Sequence, residues 1–144
     1  MGYRSVIAAM SEEEGIIHVR IQDKAVESWD FVEYLKMLCR KTGEVPLAVF
    51  MDQLAVHKSK DVKPWYSDCD ITPVFNVGYS PEFNPIEAVF SKVKSRFNLR
   101  RLNHLVNKTG FNVDKEIKAA FKTITREHCA VCVRKSKHLL ERAS

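Results

Sequence analysis

No apolar run in the 144-residue chain approaches the roughly 18 to 20 residues needed to cross a bilayer. The opening Met1-Gly2-Tyr3-Arg4-Ser5 lacks the basic segment and apolar stretch of a secretory leader, so the expectation is a soluble intracellular protein. Glycine and proline, five of each, are too scarce for a collagen-like rod, and there is no repeat, linker or low-complexity segment. Only four cysteines are present. Cys129 and Cys132 make a C-x-x-C, but no second pair completes a zinc site, and three-residue spacing on a helix is also ordinary packing. The second half is short of acid: residues 88–144 carry 14 Lys/Arg and 4 Asp/Glu, net +10, against 9 and 14 in residues 1–87, net −5. That asymmetry suits a polyanion met by one face, with nucleic acid the commonest such partner, or simply a solvated helical surface.

What is there is globular. Hydrophobic residues are 45% and charged residues 28%, enough for one domain burying about two-thirds of its unfolded surface. Residues 3–10 and 16–22 read as strands of a hairpin across the turn at 11–15. Residues 28–41 read as a helix with Ser28 as N-cap and Gly43 as terminator. Its apolar stripe is Trp29, Val32, Leu35 and Cys39, widened by Phe31, Tyr34 and Leu38. The continuous apolar run at 47–51 suits a central strand covered on both faces. A loop at 53–60, a short helix at 60–68 and a strand at 71–77 follow; Pro73 points to a sheet edge or a strand end. Pro85 opens a helix with Ile86, Val89, Phe90, Val93 and Phe97 on one face. Residues 99–107 are basic and unassigned, and 113–142 hold one or two helices striped by Ile117, Ala120, Phe121 and Ile124.

Open α/β sheets carry their chemistry at the carboxyl ends of strands, and Asp52 closes the buried run there. A carboxylate at that point either meets a cation or caps the following loop through backbone N–H groups. Glu87, three residues after Asn84, has the spacing of a capping box, which by itself explains it.

The surroundings of the pair say more. Asp52-Gln53-Leu54-Ala55-Val56-His57-Lys58-Ser59 and Gly78-Tyr79-Ser80-Pro81-Glu82-Phe83-Asn84-Pro85-Ile86-Glu87 resemble two blocks of the Asp–Asp–Glu transposases of the mariner-like superfamily. Phe90 and Lys94 continue the second block, and 34 residues separate the two carboxylates, the interval of a major branch of that superfamily. The resemblance covers roughly residues 3–97. It implies an α/β, ribonuclease H-like mixed sheet with helices on both faces, and DNA cleavage and strand transfer with Mg²⁺ or Mn²⁺. Asp52 and Glu87 would be the catalytic metal ligands, hard oxygen donors suited to those ions. Gln53, His57, Ser80 and Asn84 would be site-adjacent. Lys58, Lys60, Lys92, Lys94 and Arg96 flank the carboxylates and would contact DNA phosphates, although single surface lysines are commonly just solvated. Trp65 and Tyr79 could stack on a base or pack.

Three departures stand out. Gln53 replaces an Asn, and Gly78 replaces a Pro. The family's first Asp ends an initial strand upstream of the hairpin, and neither Asp23 nor Asp30 can be that residue by position. The expectation is a single truncated catalytic domain over 1–144, with 98–144 a basic helical extension, its central initial strand missing and its activity low alone. Strands 3–10 and 47–51 would then expose unpaired edges or pair with each other, unless a partner chain supplies the strand; the partners expected beside DNA are a homo-oligomer or such a chain. The alternative is a non-catalytic DNA-binding or dimerisation module derived from a transposase. Localisation would be nuclear in a eukaryote and with the chromosome otherwise.

Overall fold

The computed structural model describes residues 4–76 and 80–143. Its elements are β1 (Ser5–Ser11), β2 (Gly15–Gln22), α1 (Ser28–Lys41), β3 (Leu47–Met51), α2 (Lys63–Asp68), β4 (Ile71–Phe75), α3 (Pro85–Asn107), α4 (Val113–Lys122) and α5 (Arg126–Ala143). The chain forms two compact units, Met1–Ala9 with Ile17–Asn84 and Met10–Ile16 with Pro85–Ser144. Residue 98 therefore lies inside a continuous helix, and the basic 99–107 stretch, unassigned from the sequence, is that helix's last turns. Among the described residues no helix is long and apolar enough to cross a membrane.

In the first unit, α1 supplies much of the core: Phe31, Val32, Tyr34, Leu35 and Leu38 are buried together with Met51, Val62, Tyr66 and Ile71. Two expectations for α1 are corrected. Trp29 is 59% exposed, with the Lys36 ammonium 5.2 Å from its ring, because its position falls at the rim of the buried arc. The N-cap is Glu27, whose N–H donates to the Asp30 carboxylate at 3.0 Å. Ser28 is already helical, and its hydroxyl hydrogen-bonds Ser59 at 2.9 Å. Asp30 is buried and also meets Arg20 and Gln22 of β2; the Glu27 N–H is the chief reason its carboxyl sits below the usual range.

The strands form two two-stranded sheets, β1 with β2 and β3 with β4, rather than one continuous sheet. The three-residue connection makes β1 and β2 antiparallel. β3 and β4 are parallel, in register from Leu47 opposite Ile71 to Met51 opposite Phe75, with α2 in the crossover. Of the two outcomes expected for the strand edges, β1 and β3 do not bridge to each other. Among the described residues β3 consequently has a neighbour on one side only; it is half-buried, with Ala48 exposed, not covered on both faces. Pro73 sits opposite Val49 in β4, an edge strand as its missing N–H requires. The expected strand end at Val77 lies outside the described residues.

In the second unit, α3 buries Val89 and Val93 and packs on α4 and α5. Phe90 meets Phe121 edge-on at 6.3 Å, while Ala120, Phe121, Ile124, Cys129 and Ala130 are buried. Burial raises the Cys129 thiol pKa, which disfavours its reactive thiolate. Glu116 is buried and meets Arg100 and His104, and the Arg100 hydrogen bond holds its carboxyl below the usual range.

Candidate functional site

The parallel register decides what surrounds Asp52. Because Met51 lies opposite Phe75, the next residues, Asp52 and Asn76, leave the sheet side by side. The Asn76 N–H donates to the Met51 carbonyl at 2.8 Å and extends the ladder by one step. Its side-chain amide donates to the Ser80 carbonyl at 2.7 Å and reaches Asp52 Oδ1 at 3.5 Å. The Asn84 amide donates to the same oxygen at 3.1 Å. Asn76 and Asn84 are both buried, while Asp52 is half-exposed. Two rigid amides thus aim one carboxylate oxygen, and among the described residues neither reaches Oδ2. Asn76 Oδ1 is buried without a partner among the described residues, an orphaned acceptor beside this carboxylate.

The loop after Asp52 folds back on the same point. A short 3-10 turn, Ala55–Lys58, brings His57 Nδ1 to 2.8 Å from the Asp52 carbonyl, so that nitrogen carries the proton in the neutral ring. Desolvation is the main reason the His57 pKa is lowered, with the Asp52 contacts opposing it. The ring lies 4.6 Å from that of Phe31, and the Tyr66 hydroxyl donates to the His57 carbonyl at 2.7 Å. Burial pushes the Tyr66 phenol up to about 12. Gln53 Nε2 donates to the Asn76 carbonyl at 2.6 Å, and the Lys58 ammonium donates to Gln53 Oε1 at 2.8 Å. The structure thus brings together Asp52, Gln53, His57, Lys58, Ser80 and Asn84.

Other residues singled out from the sequence lie elsewhere. Glu87 is half-buried in the first turn of α3, in the second unit. Lys60 is exposed beyond the 3-10 turn, and Lys92 and Lys94 are exposed on α3. Arg96 donates to the Thr123 carbonyl at 2.8 Å, where it caps the C-terminus of α4. Trp65 packs against the first unit's core with Lys36 at 4.0 Å; Gly78 and Tyr79 lie outside the described residues. Among the described residues no three His, Cys, Asp or Glu side chains gather into a metal-binding group. Asn76 is the residue that sequence reasoning missed. Its signal was there: a polar residue directly after an apolar strand, where parallel pairing sets it beside Asp52.

A family model for the DDE superfamily endonucleases matches residues 2–106, a stretch that contains this whole cluster. The chain belongs to that family. Its fold is similar to the crystal structure of the catalytic domain of Mos1 mariner transposase, with a TM-score of 0.67 and 13% identity, covering 91% of this chain and 67% of that one. The same domain solved with raltegravir and Mn matches with a TM-score of 0.65 at 13% identity, over 91% of this chain and 68% of that one. The Mos1 strand transfer complex matches with a TM-score of 0.67 at 13% identity, over 94% of this chain and 40% of that one. No curated protein matches the sequence. This is thus a DDE superfamily endonuclease domain with a fold like that of the mariner transposase catalytic domain, the ribonuclease H-like fold expected from the motifs, its described strands paired as two small sheets.

Proposed function

We propose that the chain is the part of a transposase core that binds DNA and a divalent cation, with Asp52 and Glu87 as carboxylate ligands. The observation that carries this is the aiming of Asp52 Oδ1 by the Asn84 amide, inside the stretch the family model matches. In kind, the residues fit Mg²⁺ or Mn²⁺, which take hard oxygen donors. In number the two motif blocks supply two candidate carboxylate ligands, where the resembled family uses three. When bound, such ions activate an attacking hydroxyl and stabilise the leaving oxygen. Asn76 and Asn84 would hold Asp52 in place, and neutral His57 would fix the loop that follows. Lys58, Lys60, Lys92 and Lys94 would pair with phosphates, as would Arg96 through N–H groups beyond its helix cap. Related Mos1 structures are a strand transfer complex and a paired end complex with Mn, which supports DNA and a divalent ion as partners. The one-sided pairing of β3 among the described residues supports a further strand supplied by a partner chain.

With two carboxylates, the chain alone is expected to take up Mn²⁺ weakly and to nick plasmid DNA slowly or not at all. Calorimetry should show a small Mn²⁺ heat that Asp52→Asn and Glu87→Gln each remove with little change in folding stability. Robust nicking abolished by Asp52→Ala would overturn the low activity. DNA binding with no Mn²⁺ heat would leave the second reading, a non-catalytic DNA-binding or dimerisation module.

A further inference from the structure

Helix α3 is apolar on two sides. One side is used: Val89 and Val93 are buried, Phe97 meets Phe111 at 5.6 Å, and Arg100 and His104 converge on Glu116. At 100° per residue, Leu99, Leu102, Leu105 and Val106 fall within an arc of about 120° on the opposite side. They are 60%, 56%, 67% and 72% exposed. Scattered surface leucines are ordinary, but four large aliphatic side chains in two turns of one helix make a contiguous apolar stripe.

The charge around the stripe identifies what would cover it. From Glu87 to Asp114 the sequence carries six Lys/Arg and no acid between them. Arg96 and Arg100 are turned to Thr123 and Glu116, whereas Lys92, Lys94, Arg101 and Lys108 are exposed. Pairing this segment with the same segment of a second copy would set Arg101 and Lys108 near their own kind. Duplex DNA would satisfy the cations and leave the leucines in water. We propose that this stripe docks an amphipathic helix of a partner protein whose apolar face is bordered by Asp and Glu. Leucine-type anchors at three- and four-residue spacing would then meet Leu99, Leu102 and Val106, and the acidic borders would meet the exposed Arg101 and Lys108.

The test uses the whole chain and a fluorescein-labelled, three-heptad synthetic helix with leucines on one stripe and glutamates on its borders, beside a twin with lysines there. The acidic peptide should bind about tenfold or more tighter than its twin. Leu99→Ser/Leu102→Ser should weaken it about tenfold with an unchanged melting curve, since both positions are exposed. Arg101→Glu/Lys108→Glu should reverse the preference between peptides. Equal binding of the twins, or full binding by the serine variant, would overturn the proposal. So would a dimer in sedimentation that Leu102→Ser dissolves, which would give the stripe to a second copy. None of these readouts depends on metal or on Asp52, so the result stands apart from the catalytic reading.

Discussion

Asn76 is worth more to this protein than its chemistry suggests. It closes the β3–β4 ladder through its backbone and braces Ser80 and Asp52 through its side chain, all while buried. Asn76→Ala leaves the Ser80 carbonyl without that donor, a change that costs about 1–3 kcal/mol when the abandoned group is buried. Urea unfolding should register it, and Mn²⁺ uptake should fall further than stability does, because Asp52 loses one of its braces. His18 makes a different prediction. Its ring stacks on Tyr34 at 5.0 Å, and desolvation followed by Lys41 and Arg20 lowers its pKa. The folded state therefore resists a proton that the unfolded chain accepts near 6.5. Its contribution is whole above that pH and is lost as pH falls from there toward the lower folded value. His57 and His128 push the same way, each chiefly through desolvation. The melting temperature should drop between pH 7 and pH 5.5, values chosen to bracket an ordinary imidazole. His18→Phe, which keeps the stacking, should flatten that slope; an unchanged slope would remove His18 from the account.

At the level of elements, local pattern was a good guide where burial is one-sided. The 28–41 helix was legible to the residue because its buried positions recur at helical spacing and Gly43, at a φ of 80°, stops it. Trp29 was misplaced because periodicity gives a face and not its width. The run at 47–51 was legible as a strand, but its surroundings were not: an apolar run reports what a strand can be covered by, and pairing is a property of neighbours. Among the described residues β3 is unpaired on one side, and such an edge on an apolar strand is a template for adding further strands. A lysine at the exposed Ala48 should reduce heat-induced, thioflavin-positive aggregation without lowering the melting temperature much. If aggregation is unaffected, growth starts elsewhere.

For the whole molecule, the charge asymmetry of the sequence is softened by folding. The acidic tip Glu12, Glu13 and Glu14 belongs to the second unit, where Glu12 pairs with Lys137 at 3.0 Å. By unit the balance is −1 (nine Lys/Arg, ten Asp/Glu) and +6 (fourteen, eight), in place of −5 and +10 by halves. The basic character that favours DNA survives on α3. Lys92→Ala should weaken DNA binding about equally for all sequences and lower the logarithmic salt slope by about one unit. An unchanged slope would make Lys92 a solvated surface residue.

The sequence by itself determined the family and the order of elements, and it singled out the two candidate carboxylates, because these rest on motif and local periodicity, which are properties of neighbouring residues. Only the tertiary structure decided that Asn76 and Asn84 hold Asp52, that the strands pair in twos, and that α3 keeps a bare leucine stripe. Each depends on which segments far apart in the chain exclude water from one another, and no local pattern records that.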